Sequence, residues 1–438
     1  MKSKKISKLF YLSFILIFWI LIFTLTCKNP SGPGIDFNLR NWYIMSGMAA
    51  GPGFTNQITY GSITIDPSSS SNSNQLFTDD GKTYYRIPEL LALPNGDLLA
   101  FADKRAVGAG DLPNQIEVYV RKSTDNGTNW GPEKRITPVS TSKKDGHGDT
   151  AAVLDRKTGD IIAVVAFGQG FLNSTPQDPI RIRTIRSRDN GETWEAPIDI
   201  TSQIYGAGCG DFTRRNWHAA FVTAGNGLQM RNGRIMFVLN VRESSQLMVQ
   251  NYVMYSDDGG HKWKVSSGSP KNTRRGGEAK VVELNDGSLL MHIRWTPNRL
   301  QSRSYDNGET WTEATAINGI LSSDSNGDLI VYTSTKNGYD KDRLITLVDS
   351  TVWNGQRDGY PGNPKFYISY DEGYTWTNSK ELYKGDAGYS SLAILKDGSI
   401  GILAELGNSW NGPIYFLRTS IEWCNSNDNP CSPTNTKK

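Results

Sequence analysis

Apolar residues in this chain come as pairs of short runs on either side of a polar turn. Leu90–Phe101 is the first pair, two apolar runs around Asn95-Gly96-Asp97. Ala151–Val165 repeats it around Thr158-Gly159-Asp160, and a third pair centres on Arg231-Asn232-Gly233. Val281–Met291 turns at Asp286-Gly287, a weaker fifth pair centres on Ser325-Asn326-Gly327, and Leu392–Leu403 turns at Asp397-Gly398. Apolar runs flanking a turn of Asn, Asp and Gly are the strongest short-range signal for a β-hairpin. No long stretch with a 3.6-residue apolar period follows residue 26, so little helix is expected.

A second pattern interleaves with the first. The phrase Ser-x-Asp-x-Gly-x-x-Trp occurs five times, at Ser123–Trp130, Ser187–Trp194, Ser256–Trp263, Ser304–Trp311 and Ser369–Trp376. Asp and Asn side chains bond to nearby amides in turns. Gly supplies the positive φ of a tight hairpin. Ser bonds locally, and Trp buries its ring beneath the turn. The phrase therefore reads as a self-supporting hairpin tip, structural rather than chemical. Each of the first five apolar hairpins is followed by one copy; the sixth is followed only by Ser420-Ile421-Glu422-Trp423. Hairpin plus hairpin makes four strands, repeated six times. The expected fold is all-β, a six-bladed β-propeller with four-stranded antiparallel blades. A stacked solenoid would have shorter rungs. In a propeller the chemistry sits around the central channel on one face, and the repeated tips lie at the opposite turns.

Composition narrows the function. The chain has 438 residues and is 37% hydrophobic, enough for a sizeable core. Lys and Arg total 47 against 44 Asp and Glu, a net charge of +3, which argues against a nucleic-acid partner. His147, His218, His261 and His292 are scattered without ligand spacing, so neither metal nor cofactor is expected. Lys2, Lys4, Lys5 and Lys8 precede an uncharged apolar run, Leu9–Thr26, and then Cys27. Residues 1–27 read as a signal segment, resembling a bacterial lipoprotein signal with Cys27 as the lipidated residue. An uncleaved anchor and a plain secretory signal are the alternatives; all three place the protein outside the cytoplasm. Residues 28–74 read as a tether and extension, 75–424 as the propeller and 425–438 as a polar tail. Cys424 and Cys431 could pair, and Cys209 reads as a buried thiol.

Four arginines stand between the repeated tips. Arg86 lies in Tyr85-Arg86-Ile87-Pro88, Arg105 in Ala102-Asp103-Lys104-Arg105, Arg294 in His292-Ile293-Arg294-Trp295, and Arg357 in Gly355-Gln356-Arg357-Asp358. Singly, each reads as a surface ion pair. Recurrence in different blades points instead to guanidinium groups converging on an anion, and a planar carboxylate suits bidentate arginine. Asp111 lies in a glycine-rich loop, Asp149 enters the second hairpin and Glu278 the fourth. Tyr389, in Ala387-Gly388-Tyr389-Ser390-Ser391, reads on its own as a core aromatic.

In combination these phrases resemble the bacterial exo-sialidase (neuraminidase) family, six-bladed propeller glycoside hydrolases whose repeated tips are Asp boxes. The resemblance runs over residues 75 to 425, in matching order. It implies that Arg86, Arg294 and Arg357 form the triad gripping the sialic acid carboxylate. It implies Asp111 as acid/base on a mobile loop, Tyr389 as nucleophile and Glu278 as the carboxylate that activates it. Arg105 and Asp149 resemble residues near the ring oxygens and the amino-acyl group; Phe167 and Phe171 are candidates for the acyl pocket. The implied activity is exo-α-sialidase, releasing terminal sialic acid from glycoproteins, glycolipids and oligosaccharides with retention, through a covalent sialyl-tyrosine. The implied partners are sialylated glycans, membrane contact is expected only through an N-terminal lipid, and the chain is expected to be a monomer. Sialic acid carries its carboxylate on the anomeric carbon, so a neutral tyrosine avoids the repulsion a carboxylate nucleophile would meet. Its unperturbed pKa near 10 calls for a base, here Glu278. Asp111 is expected to protonate the leaving oxygen once burial raises its pKa. A trans-sialidase would use the same residues. An inactive sialic-acid-binding propeller would keep the boxes and lose the Tyr-Glu-Asp set. A glycosidase acting on neutral polysaccharide would lack the arginines.

Overall fold

In the computed structural model of the chain, the described residues are 75–271, 273, 277–322, 325–349, 363–385, 387–407 and 413–425. They form six antiparallel sheets, taken in chain order around a ring. The inner strands are Tyr84–Ala92 in blade 1, His147–Leu154 in blade 2, Ala219–Val222 in blade 3, Ala279–Glu283 in blade 4, Asp328–Thr333 in blade 5 and Ala387–Ile394 in blade 6. Each sheet then steps outward through hairpins. Helix among the described residues is confined to short pieces such as Thr201–Ile204 and Ile421–Asn425.

The outer turns show why the repeated phrase recurs. In the first box, Ser123 Oγ donates to Asp125 Oδ1 at 2.8 Å and accepts the Gly127 amide at 2.9 Å, while Asp125 accepts the Asn129 amide at 2.8 Å. Asn126 and Gly127 both sit at positive φ, which Asn and Gly tolerate. The box tryptophans reach into the preceding blade. Trp194 of blade 2 meets Phe101 of blade 1 edge-on at 5.7 Å, and Trp130 of blade 1 meets Phe416 of blade 6 at 5.0 Å. Between blades the strand faces interlock, as where Phe101, Val120 and Leu99 pack on Ala163, Val165 and Ile185.

Three features depart from a plain sixfold reading. The outer strand of blade 6 is Gln75–Phe77, which precedes blade 1 in the chain and pairs with Ile414–Thr419. The ring is thus closed by both ends of the described domain, and this explains why the sixth hairpin needs no box of its own. In blade 3, Gly225–Asn226 leaves its own sheet to pair in parallel with the inner strand of blade 2. Gly225 adopts φ +111, a conformation that favours glycine, and Lys280 Nζ occupies the space that a Cβ would take. Finally, Asn326-Gly327 does not turn the fifth hairpin. It leads into the inner strand, and the turn falls later, around Thr335–Asn337 and Gly338. The dipeptide mimics a hairpin turn because Gly327 does adopt φ +60, but the space its missing side chain opens is taken by the Arg299 guanidinium.

Cys209 and Cys424 are buried thiols. The partner expected for Cys424 is Cys431, which lies outside the described residues, as do the signal segment, the tether and Arg357.

Candidate active site

Three inner strands carry a bulge at the same end of the ring. The register slips between Arg86 and Glu89, between Gly148 and Ala151, and between Ala387 and Ser390. A bulge re-aims side chains and ends pairing. Two of these bulges hold a non-glycine residue at positive φ, Ile87 at 60° and Asp149 at 55°. For a β-branched residue this is a strained conformation. It is held because the Ile87 amide donates to Glu405 Oε1 at 2.7 Å.

One group of side chains is built on blades 1, 4 and 6. Tyr389 Oη donates to Glu278 Oε2 at 2.6 Å, and Arg294 Nη1 donates to Tyr389 Oη at 2.8 Å and also to Glu278. Arg86 lies against the Tyr389 ring at 5.5 Å and Arg294 at 5.9 Å. Glu405 ties the group together. It accepts Arg86 Nε at 2.9 Å and Nη2 at 3.2 Å, and its Oε2 accepts the Tyr389 amide at 2.9 Å. Burial, and then the Glu278 charge, push the Tyr389 phenol well above its ordinary range, against the opposing pull of Arg294 and Arg86. The proton therefore rests on tyrosine, pointed at a carboxylate that can take it.

A second group lies on blades 1 and 2. Arg105, 1% exposed, donates to Asp111 Oδ1 at 2.9 Å, to Ala109 O and to Asp103 Oδ2 at 3.2 Å. Asp103 also accepts the Asp149 amide at 3.2 Å. Burial first, then the charges of Asp103 and Asp111, push the Asp149 carboxyl well above the usual carboxylate range; Glu278 adds to the effect. Asp149 thus links the two groups electrostatically. The Asp111 loop is held from within by Asn114, whose Nδ2 donates to Gly110 O at 2.9 Å. The burial expected of Asp111 is not found: its side chain is 77% exposed on that loop, with one carboxylate oxygen accepting from the buried Arg105.

Arg86, Glu278, Arg294 and Tyr389 are therefore one hydrogen-bonded unit, and Arg105, Asp111 and Asp149 surround a second. Phe167 is covered by the Arg183 guanidinium at 3.3 Å and by His147 at 4.6 Å, and Phe171 packs on Phe221 at 5.2 Å. Glu405 and Asp103 were not singled out by sequence. Glu405 is a lone carboxylate inside the apolar run Ile400–Leu406, Asp103 directly follows the apolar run Leu98–Ala102, and a buried charge in either place requires a partner. That signal would have found both.

Residues 87–362 match the family described as BNR repeat-like domain. A sialidase of Bacteroides fragilis (strain YCH46) is 30% identical over 352 residues, covering 75% of this chain and 61% of its own length. A sialidase of Micromonospora viridifaciens is 28% identical over 368 residues, covering 78% of this chain and 52% of that one. The chain thus spans only a little over half the length of these curated relatives. Among solved structures, Hadza microbial sialidase Hz136 aligns with TM-score 0.66 at 28% identity, over 77% of this chain and 66% of that one. The intramolecular trans-sialidase from Ruminococcus gnavus aligns at 0.67 over 81% of this chain and 98% of its own, and at 19% identity supports the fold alone. The boxes, the six-bladed ring and these matches agree: the chain belongs to the BNR repeat-like family, in the six-bladed form of the sialidases.

Proposed function

We propose that this protein is an exo-α-sialidase that works with retention through a covalent sialyl-tyrosine. The observation that carries the reading is the Tyr389 phenol, hydrogen-bonded to buried Glu278 and set between Arg86 and Arg294. A tyrosine hydroxyl held by a carboxylate and flanked by two guanidinium groups suits a substrate that brings an anion to the reacting carbon. Arg86 and Arg294 would hold the sugar carboxylate and offset its charge. Glu278 would take the phenol proton as Tyr389 attacks the anomeric carbon. Asp111 would protonate the departing oxygen and later activate water. A bound sugar ring laid over the Asp111 loop would supply the burial this role needs, and would compete with Arg105 for the carboxylate. Arg357 keeps its proposed place as third arginine on the strength of the resemblance.

The test is release of 4-methylumbelliferone from its α-sialoside by the purified chain, with Tyr389→Phe and Arg86→Ala beside it. Activity in the parent and loss in both variants is the expected result. NMR of the first-formed sugar should show the α-anomer, as retention requires. Full activity in Tyr389→Phe would overturn the mechanism. An inactive, folded parent that binds sialosides would make the protein a lectin, and transfer to an added acceptor sugar would make it a trans-sialidase.

A further inference from the structure

We propose that Asn326, braced by Arg299, is a positioning residue for Tyr389; the inference rests on the sialidase reading above. The inner strand of blade 6, Ala387–Ile394, pairs with Ile400–Leu406 on one edge only. Its other edge faces the channel with no strand of its own sheet beside it, and buried backbone groups there need partners. Three side chains from elsewhere in the ring supply them. Asn326 takes both groups of Ser390: its Oδ1 accepts the amide at 3.1 Å and its Nδ2 donates to the carbonyl at 3.2 Å. Asp328 Oδ2 accepts the Leu392 amide at 2.6 Å, and Asn226 Nδ2 donates to the Leu392 carbonyl at 2.8 Å. These side chains do the work of a missing strand. With Glu405 on the Tyr389 amide, the backbone is gripped at Tyr389 itself and at the next residue.

Asn326 has a fixed base. It is 0% exposed, and its carbonyl accepts a hydrogen bond from Arg299, itself 1% exposed. A Cβ at position 327 would stand 2.7 Å from Arg299 Nη1, so Gly327, at φ +60, is what lets the guanidinium reach. None of this touches a substrate surface. Its effect runs through the Ser390 peptide to the phenol, whose bonds to Glu278 and Arg294 have little tolerance. A shift of about 1 Å in a reacting group can cost on the order of 10²-fold in rate.

The experiment is steady-state kinetics and sialic acid binding for Asn326→Ala in the parent and in a Tyr389→Phe background. In the parent background kcat should fall roughly 10²-fold. KM and the Kd for free sialic acid should stay within about threefold, because Arg86 and Arg294 are held by Glu405 and Glu278 instead. In the Tyr389→Phe background the same substitution should change the residual rate by less than about twofold, since the effect has no tyrosine to act through. The isosteric Asn326→Asp, which keeps the acceptor for Ser390 N and removes the donor, replaces the alanine variant if that one does not fold. An unchanged kcat, an equal loss in both backgrounds, or loss of sialic acid binding in step with kcat would overturn the inference while leaving the sialidase reading intact. An inactive parent would remove both.

Discussion

At Tyr389 burial works against the chemistry proposed for it. The phenol is held protonated by its surroundings, and two arginines only partly compensate. On the proposed mechanism Glu278 is therefore needed at the moment of attack, not only in the resting state. Glu278→Gln keeps the shape and a hydrogen-bond partner but cannot take the proton. It should lower kcat by about 10²- to 10⁴-fold with little change in KM, read by sialoside hydrolysis; a loss confined to KM would show that Glu278 acts in binding instead. Glu405 has a different task. Its carboxylate and the Arg86 guanidinium are 6% and 7% exposed as side chains. Removing one partner of such a pair typically costs about 3–5 kcal/mol. Glu405→Ala should thus lower the melting temperature as well as the activity, whereas Tyr389→Phe should lower activity alone; thermal melts beside kinetics separate the two. Tyr389 and Glu278 could be picked as candidates from sequence because they stand in phrases with neighbours of recognisable kind. Glu405 and Asp103 stayed hidden because their neighbours are plain strand residues, and only the fold shows which charges meet.

The boxes are legible for the opposite reason: the hydrogen bonds among Ser, Asp and Gly that shape each turn are local. Ser, Asp and Gly within one turn satisfy each other, so the letters alone specify the shape. In the fourth box Ser304 Oγ accepts the buried Gly308 amide at 2.9 Å and donates to Asp306 Oδ1 at 2.8 Å. Ser304→Ala orphans that amide and should cost about 1–3 kcal/mol, measured by denaturant unfolding, with kcat unchanged. A fall in kcat at constant stability would contradict a purely structural box. Asn326-Gly327 failed as a turn signal because its bonds are not local. Arg299, 27 residues earlier, and Ser390, 64 residues later, decide its conformation, and no window of sequence contains all three.

On the scale of the whole ring, order and number of blades followed from counting repeats, while the closing strand Gln75–Phe77 did not, since nothing near it repeats. The ring also buries charge-bearing groups that set its response to pH in opposing directions. Burial pushes Glu89 up to about 8 and Asp103 up to about 7. Such carboxyls favour the fold fully below their unfolded values of about 4 and lose that contribution as pH rises from there to their folded values of about 8 and about 7. The histidines oppose them. His147 is lowered to about 4, chiefly by burial and then by Arg183. His292, with 0% exposure and its ring 5.0 Å from Trp376, is lowered well below 6.5 by burial and by the charges of Arg299 and Arg303. An unfolded chain takes up a proton there below pH 6.5 and the folded one does not, so each acid step from 6.5 favours unfolding by up to about 1.4 kcal/mol per pH unit. The two sets oppose each other in the total curve, which makes a difference measurement the useful one. His292→Phe removes one histidine from the balance. The melting temperature of the variant minus that of the parent should be constant above pH 7.5 and climb steadily from pH 6.5 to 5. A difference that stays level over that range would mean that His292 is protonated in the folded ring, and that the side of blade 4 facing Trp376 admits more water than that packing indicates.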